Sequence, residues 1–246
     1  MPLVSCLMVT HGRYNLTCQA LACFLAQDHP HRELLILNHH PVPLILGITP
    51  PTGTSVHIFN EPNTNTFGAN LNLILDRAQG EFIRTWDSDD YFLPWCISQG
   101  VEMIGDKPAW KPARSWFVQG ESVTLEANNF EPSILWRRDF VDALRFDEGE
   151  VESTTLFDAL PHHFVPRDEV GIWSPFVTMW ANGVWHLSGS LGSGTPEERH
   201  RIWREHNQDT GKGRPLVPVC VHSVWLRLAS HLNPDERNAW LERALV

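Results

Sequence analysis

The chain lacks any apolar run near the ~20 residues that a membrane-spanning helix needs. Its N-terminal run LVSCLMV is short and has no basic flank, so it reads neither as a signal peptide nor as a span. A chain of this kind is expected to reach a membrane only by visiting its surface. Basic side chains are scarce as well: 19 Lys and Arg stand against 29 Asp and Glu, a formal charge of −10. A broad phosphate-binding face would need clustered Lys and Arg, so nucleic acid is not an expected partner. Cysteine is sparse and odd in number, with Cys6, Cys18, Cys23, Cys96 and Cys220 scattered and none in a CxxC pair. That argues against a disulfide framework or a zinc site, and the thiols read as small buried hydrophobes in a reducing, cytoplasmic compartment. Internal repeats, low-complexity tracts and a clear linker are absent too. One compact domain over 1–246 is expected, in two halves divided at about residue 110.

What is present begins with an ordinary globular composition, 42% hydrophobic and 20% charged over 246 residues. The first 90 residues alternate between two periodicities. Val4 to Thr10, Glu33 to Asn38, Ser55 to Asn60 and Glu81 to Trp86 read as strands. Asn15 to Gln27 and about Leu71 to Ala78 read as helices, the second stopped by Gly80 as a C-terminal cap. This order implies a mostly parallel α/β sheet, whose ligands bind beyond the carboxyl ends of its strands. The second half is less regular. Strands are expected at Trp116 to Val118 and Ser133 to Arg137, with helices at about Phe140 to Leu144, Ser153 to Leu160, Pro196 to His206 and Pro234 to Ala244. The last is well signalled by Asn233 as N-cap, Pro234 at the first helical position, and Asp235 and Glu236 in the first turn.

The fourth strand runs into EFIRTWDSDDYFLP, residues 81–94, where Asp87, Asp89 and Asp90 fall within four positions. Such crowding gains a strand end nothing, so something must compensate the charge. A DxD at this place offers the hard oxygen ligands that Mg²⁺ and Mn²⁺ prefer, and a nucleotide diphosphate can complete the coordination. The bland alternative is an acidic loop with no metal, in which Asp90 caps the following turn.

Residues 72–94, NLILDRAQGEFIRTWDSDDYFLP, resemble the core of family 2 glycosyltransferases of GT-A fold. Asn72, Ala78, Gly80, Glu81, Asp87, Asp89, Asp90 and Pro94 match that core in residue and spacing. VSCLMVTHGR is similar to the family's first strand and its Thr-x-x-Arg turn, and FLAQDHP to its first helix exit. ILWRRDFVDALRFDEGEVESTTLFDAL resembles the later strand, helix and Glu-Asp segment. The resemblance implies an α/β, Rossmann-like, mostly parallel central sheet flanked by helices, with a helical C-terminal segment. Residues 1–110 would form the nucleotide-sugar-binding half, and 111–246 the acceptor side. The implied activity is that of a metal-dependent, inverting, hexosyltransferase-like enzyme with Mn²⁺ or Mg²⁺ as cofactor. Its donor would be a UDP-, GDP- or dTDP-linked sugar. Its acceptor would be a glycan or small-molecule hydroxyl in polysaccharide or glycoconjugate synthesis. Thr10 and Arg13 would lie by the base and ribose, with Asn38, Asn72 and Ser88 among the donor contacts. Asp87 would approach the ribose and the metal, Asp89 would hold the metal, and Asp90 would support the loop or the acceptor side.

Three departures from the family's pattern stand out. Asn38-His39-His40 replaces an acidic pair near the base, which implies an altered nucleotide preference with Asn38 reaching the base edge. Leu71 takes the place of a basic residue before the helix Asn, removing a diphosphate contact. Glu152-Ser153 replaces the Glu-Asp pair that holds the catalytic base, so Glu152 becomes the candidate base, with Asp147, Glu148 and Glu150 nearby. Among 13 histidines, His186 and His206 are candidate metal ligands, whereas the adjacent pairs His39-His40 and His162-His163 should point to opposite faces if they lie on strands. Trp86, Trp95 and Trp116 either line a sugar pocket or pack in the core. SGSLGSGTP, residues 188–196, reads as a loop before a helix that orders over the donor. Two other readings stay open. One is a nucleotide-sugar binder that has lost catalysis. The other is a nucleotidyltransferase, which the single Gly and single Arg of THGRYN disfavour.

Overall fold

The structure, a computed structural model, describes residues 1–119, 122–128, 133–148, 173–174, 176–180 and 221–245. Glu152, Ser153, His162, His163, His186, His206, the loop at 188–196 and the helices expected at 153–160 and 196–206 lie outside them.

β1 (Val4–Thr10) and β2 (Arg32–Asn38) are buried at every position, as apolar strands covered on both faces must be. α1 (Tyr14–Leu25) connects them. β3 (Thr54–Asn60), α2 (Phe67–Leu75) and β4 (Phe82–Thr85) follow. β3, β2, β1 and β4 lie side by side and parallel, in that order. Beyond β4 the chain forms β5 (Tyr91–Phe92), α3 (Cys96–Ile104), β6 (Ala109–Trp110), β7 (Arg114–Gln119), β8 (Ser122–Ala127), β9 (Leu135–Arg137) and α4 (Arg138–Leu144). β9 pairs antiparallel with β4, and β6 with β9, which completes a six-stranded sheet. β10 (Phe176–Trp180), α5 (Val221–Ala229) and α6 (Pro234–Ala244) end the described chain. A second sheet, in the order β5-β10-β7-β8, was not foreseen. Its central pair joins Val177 to Trp116, far apart in sequence, and pairing at that range leaves no local pattern.

Strand alternation divides the core. Val4, Cys6, Met8, Leu34, Ile36 and Phe82 face α1 on one side of the sheet. Leu7, Val9, Leu35, Leu37 and Ile83 meet Leu71, Ile74 and Leu75 of α2 on the other. Leu71 is therefore a core residue, and its position offers no diphosphate contact. Trp86, Trp95 and Trp116 are also core: all three are buried, so the packing reading holds and the sugar-pocket reading falls.

Two helix expectations need correction. α2 begins at Phe67, four residues before the expected Leu71, because the Thr66 hydroxyl caps it by accepting from the Ala69 N–H at 3.3 Å. Its end is at Leu75, so Gly80 is not the cap. Gly80 instead lies against β1, where a Cβ would come within 2.6 Å of Ser5 N and 2.8 Å of Leu3 O. α6 spans the expected residues, with Asn233 Oδ1 accepting from the Glu236 N–H at 3.0 Å. Trp240 of α6 is fully buried and meets Trp95 edge-on at 5.3 Å. Among the described residues no helix is long and apolar enough to cross a membrane.

Candidate active site

Three strand ends converge. Just past β4, the Trp86 N–H donates to Leu7 O at 2.8 Å. The chain then turns through Asp87, Ser88, Asp89 and Asp90 into β5. Trp86 and Phe92 stack with ring centroids 3.8 Å apart, so the acidic turn is clasped by an aromatic pair at its base. The Trp86 indole N–H donates to Ala20 O of α1 at 2.9 Å. Gln27, buried after α1, holds the exit: its amide donates to Leu93 O at 2.9 Å and accepts from the Ile97 N–H at 3.1 Å. A turn fixed at both ends keeps its side chains in place when a ligand arrives.

One carboxylate oxygen from each of Asp87, Asp89 and Asp90 lies within 4.8 Å of the others. Two like charges near that separation repel by about 3 kcal/mol at the effective dielectric of ~20 near a protein surface. The cluster therefore needs positive charge, and Arg13 supplies one, with Nη1 3.2 Å from Asp89 Oδ2. Asp87 and Asp89 are half-buried, whereas Asp90 is fully buried. Asp90, expected to support the loop or the acceptor side, is enclosed within the turn. Ser88 is enclosed too, at 1% exposure.

Arg13 reaches Asp89 because of the turn that follows β1. Gly12 adopts φ +70°, and a Cβ there would meet the His40 ring at 2.8 Å, so only glycine fits. Thr10, expected by the base or ribose, is buried with its hydroxyl 3.2 Å from that of Thr17. Asn38, expected at the base edge, has its amide engaged within the protein. Asn38 is fully buried. Its Nδ2 donates to Val42 O and Asn60 Oδ1, both at 2.9 Å, while its Oδ1 accepts from the Gly12 N–H at 3.2 Å and the His40 N–H at 3.3 Å. The amide ties together the ends of β1, β2 and β3. Asn72 behaves likewise: it donates to Phe146 O and accepts from the Phe146 N–H, both at 3.0 Å, and donates to Glu148 Oε1 at 3.3 Å. It pins α2 to the acidic segment that leads toward Glu150 and Glu152.

A histidine cluster went unrecognised in the sequence. The His11 ring lies 4.5 Å from that of His39 and 4.7 Å from that of His40. The strand rule that sends His39 and His40 to opposite faces does not apply, because β2 ends at Asn38. The parallel pairing of Thr10 with Asn38 is the signal that places His11 beside His39. Burial, and then the positive character of His11, hold His39 down at about 4 from its ordinary 6.5, while a hydrogen bond to the Asn63 backbone acts the other way. Unfolding restores the ordinary value, so as pH falls from 6.5 toward 4 the unfolded chain protonates first and stability is lost. Thermal melts over that range are expected to fall steadily for the native protein and less steeply for His39→Asn. Equal slopes would contradict the half-buried, neutral ring.

A GT-A glycosyltransferase is the class that this sheet, with an acidic turn at the end of its fourth strand, defines. The chain belongs to glycosyl transferase family 2, whose model matches residues 5–142. Its fold is similar to that of S. aureus TarS 1-349 in complex with UDP-GlcNAc, at 12% identity and a TM-score of 0.50, over 98% of this chain and 79% of that one. A mannosyltransferase, PcManGT from Pyrobaculum calidifontis in complex with GDP-Man and Mn²⁺, matches at 15% identity and a TM-score of 0.50, with the same coverage of both chains. No curated protein matches the chain.

Proposed function

We propose that this glycosyltransferase moves a sugar from a nucleotide diphosphate donor to an acceptor hydroxyl with inversion, aided by Mn²⁺ or Mg²⁺. The observation that carries the reading is the convergence of three hard carboxylates on one point at a strand end of this fold. That donor set fits a divalent ion, with Asp89 and Asp87 as ligands. When bound, the ion offsets the charge that develops on the diphosphate leaving group. The two solved structures of like fold carry UDP-GlcNAc in one case and GDP-Man with Mn²⁺ in the other, which supports a donor of this class.

The roles of the chain's own residues follow from their surroundings. Arg13 serves the phosphates, being a cation already paired with the acidic turn at Asp89. The His11, His39 and His40 rings line the crevice beyond β1 and β2, where the base would lie. Neutral imidazoles both donate and accept, so they suit a base edge or a ribose hydroxyl. Glu152 takes the proton of the acceptor hydroxyl as that oxygen attacks the anomeric carbon and the nucleoside diphosphate leaves. This assignment, and that of His186 as a further metal ligand, rests on the resemblance of the segments alone. Free thiols at Cys6, Cys18, Cys23 and Cys96 support work in a reducing, cytoplasmic compartment on a glycan or glycoconjugate precursor.

Incubation with UDP-, GDP- and dTDP-sugars, Mn²⁺ and candidate acceptors tests the proposal. Transfer or slow donor hydrolysis is expected with one nucleotide class, and Glu152→Gln should lower transfer by roughly 100-fold or more. Donor binding with neither reaction, and no change in Glu152→Gln, would establish a binding protein instead.

A further inference from the structure

We infer that Arg13 is a resident cation on Asp89 of the acidic turn, and must leave that carboxylate before a divalent ion and a diphosphate can bind. Ion and donor then bind cooperatively, each clearing the way for the other. This rests on the reading of the acidic turn as a metal-diphosphate site.

The geometry is that of a competitor. Arg13 Nη1 stands 3.2 Å from Asp89 Oδ2, the carboxylate best placed to hold the ion. The side chains are only 21% and 11% exposed, so water screens the pair less than it would a surface salt bridge. A divalent ion on that carboxylate would face a guanidinium a few ångströms away. The two cations therefore exclude one another in all but a strained arrangement.

Arg13 has somewhere to go and little to hold it. It occupies the N-cap position of α1 but makes no side-chain cap: its carbonyl accepts from the Thr17 N–H at 2.9 Å, while its guanidinium donates to Asp89. The preceding Gly12, at φ +70°, lies in the turn that joins β1 to α1. A diphosphate in that crevice offers paired oxygens that match the guanidinium fork better than one carboxylate oxygen does. Moving there, Arg13 would neutralise the leaving group and give up its hold on Asp89. Coupling of this kind is reciprocal: whatever factor the diphosphate adds to ion affinity, the ion adds to diphosphate affinity.

The test is Mn²⁺ binding, read from the electron paramagnetic resonance signal of free Mn²⁺, with and without UDP or GDP. The native protein should bind Mn²⁺ weakly alone and about tenfold or more tightly with nucleotide. Arg13→Gln should bind Mn²⁺ several-fold more tightly than the native protein when nucleotide is absent, and lose most of the gain from adding it. Arg13→Lys, which keeps the charge but not the fork, should retain the weak binding and lose part of the gain. Circular dichroism establishes that the variants fold, and Arg13→Lys alone carries the test if Arg13→Gln does not. Unchanged or weaker Mn²⁺ binding by folded Arg13→Gln overturns the inference, as does a full nucleotide gain in Arg13→Lys. Asp89→Asn separates the two claims: Mn²⁺ binding that survives it, or is absent from every form with nucleotide present, sinks the metal reading itself.

Discussion

Asp89→Asn is expected to lower glycosyl transfer by roughly 1000-fold, about 4 kcal/mol of transition-state stabilisation, while leaving the protein as stable as before. The substitution keeps the shape of the side chain and an oxygen able to accept from Arg13. What it removes is the charge and a strong oxygen ligand, at a half-buried carboxylate already held by Arg13. Stability should not fall, because the change also relieves like-charge repulsion with Asp87 and Asp90. The pairing of a collapsed rate with an unshifted melting temperature is the signature of a group that acts on the reacting phosphates. Steady-state rates at saturating Mn²⁺, beside a thermal melt, decide it. Activity within tenfold of native would remove Asp89 from the metal site, and a large drop in melting temperature would assign it to the scaffold instead.

Much of this site was legible before any fold was known, and the reasons are local. β1, β2 and β4 are continuous apolar runs because both of their faces are covered, and the acidic turn is visible as crowding that no strand end needs. α6 announces itself through Asn233, Pro234 and two acids in its first turn. Other features depended on information that residue type does not carry. Asn38 and Asn72 can each donate and accept, but only the fold shows that Asn38 spends its amide on the ends of β1, β2 and β3 and Asn72 on the Phe146 backbone. His11 became part of a cluster through strand register, and Trp86 became a clasp through contact with Phe92 across the acidic turn. Polar residues whose partners are distant are where reading by spacing fails.

Gly80→Ala is the substitution expected to cost most stability, about 3 kcal/mol, which for a chain of this size lowers the melting temperature by roughly 6–12 °C. The sequence motif suggested a helix cap, where alanine would be a modest change. The structure gives Gly80 another duty. Its N–H donates to Ser5 Oγ at 2.7 Å, and that hydroxyl donates to the buried Glu33 carboxylate, which also accepts from the Gln79 N–H at 2.7 Å. The turn after α2 is thereby bonded to β1 and β2 together. A Cβ on Gly80 would sit 2.6 Å from Ser5 N, a backbone atom in a strand paired on both sides, so no rotamer change can relieve the clash. The turn must move outward, breaking its hydrogen bonds and carrying with it β4, which starts two residues later and delivers Asp87. Activity should therefore fall alongside stability, unlike the result at Asp89. Gly47→Ala is the control, since a Cβ there meets nothing within 4 Å. Equal melting temperatures for the two alanine variants would show that β1 yields where the packing says it cannot.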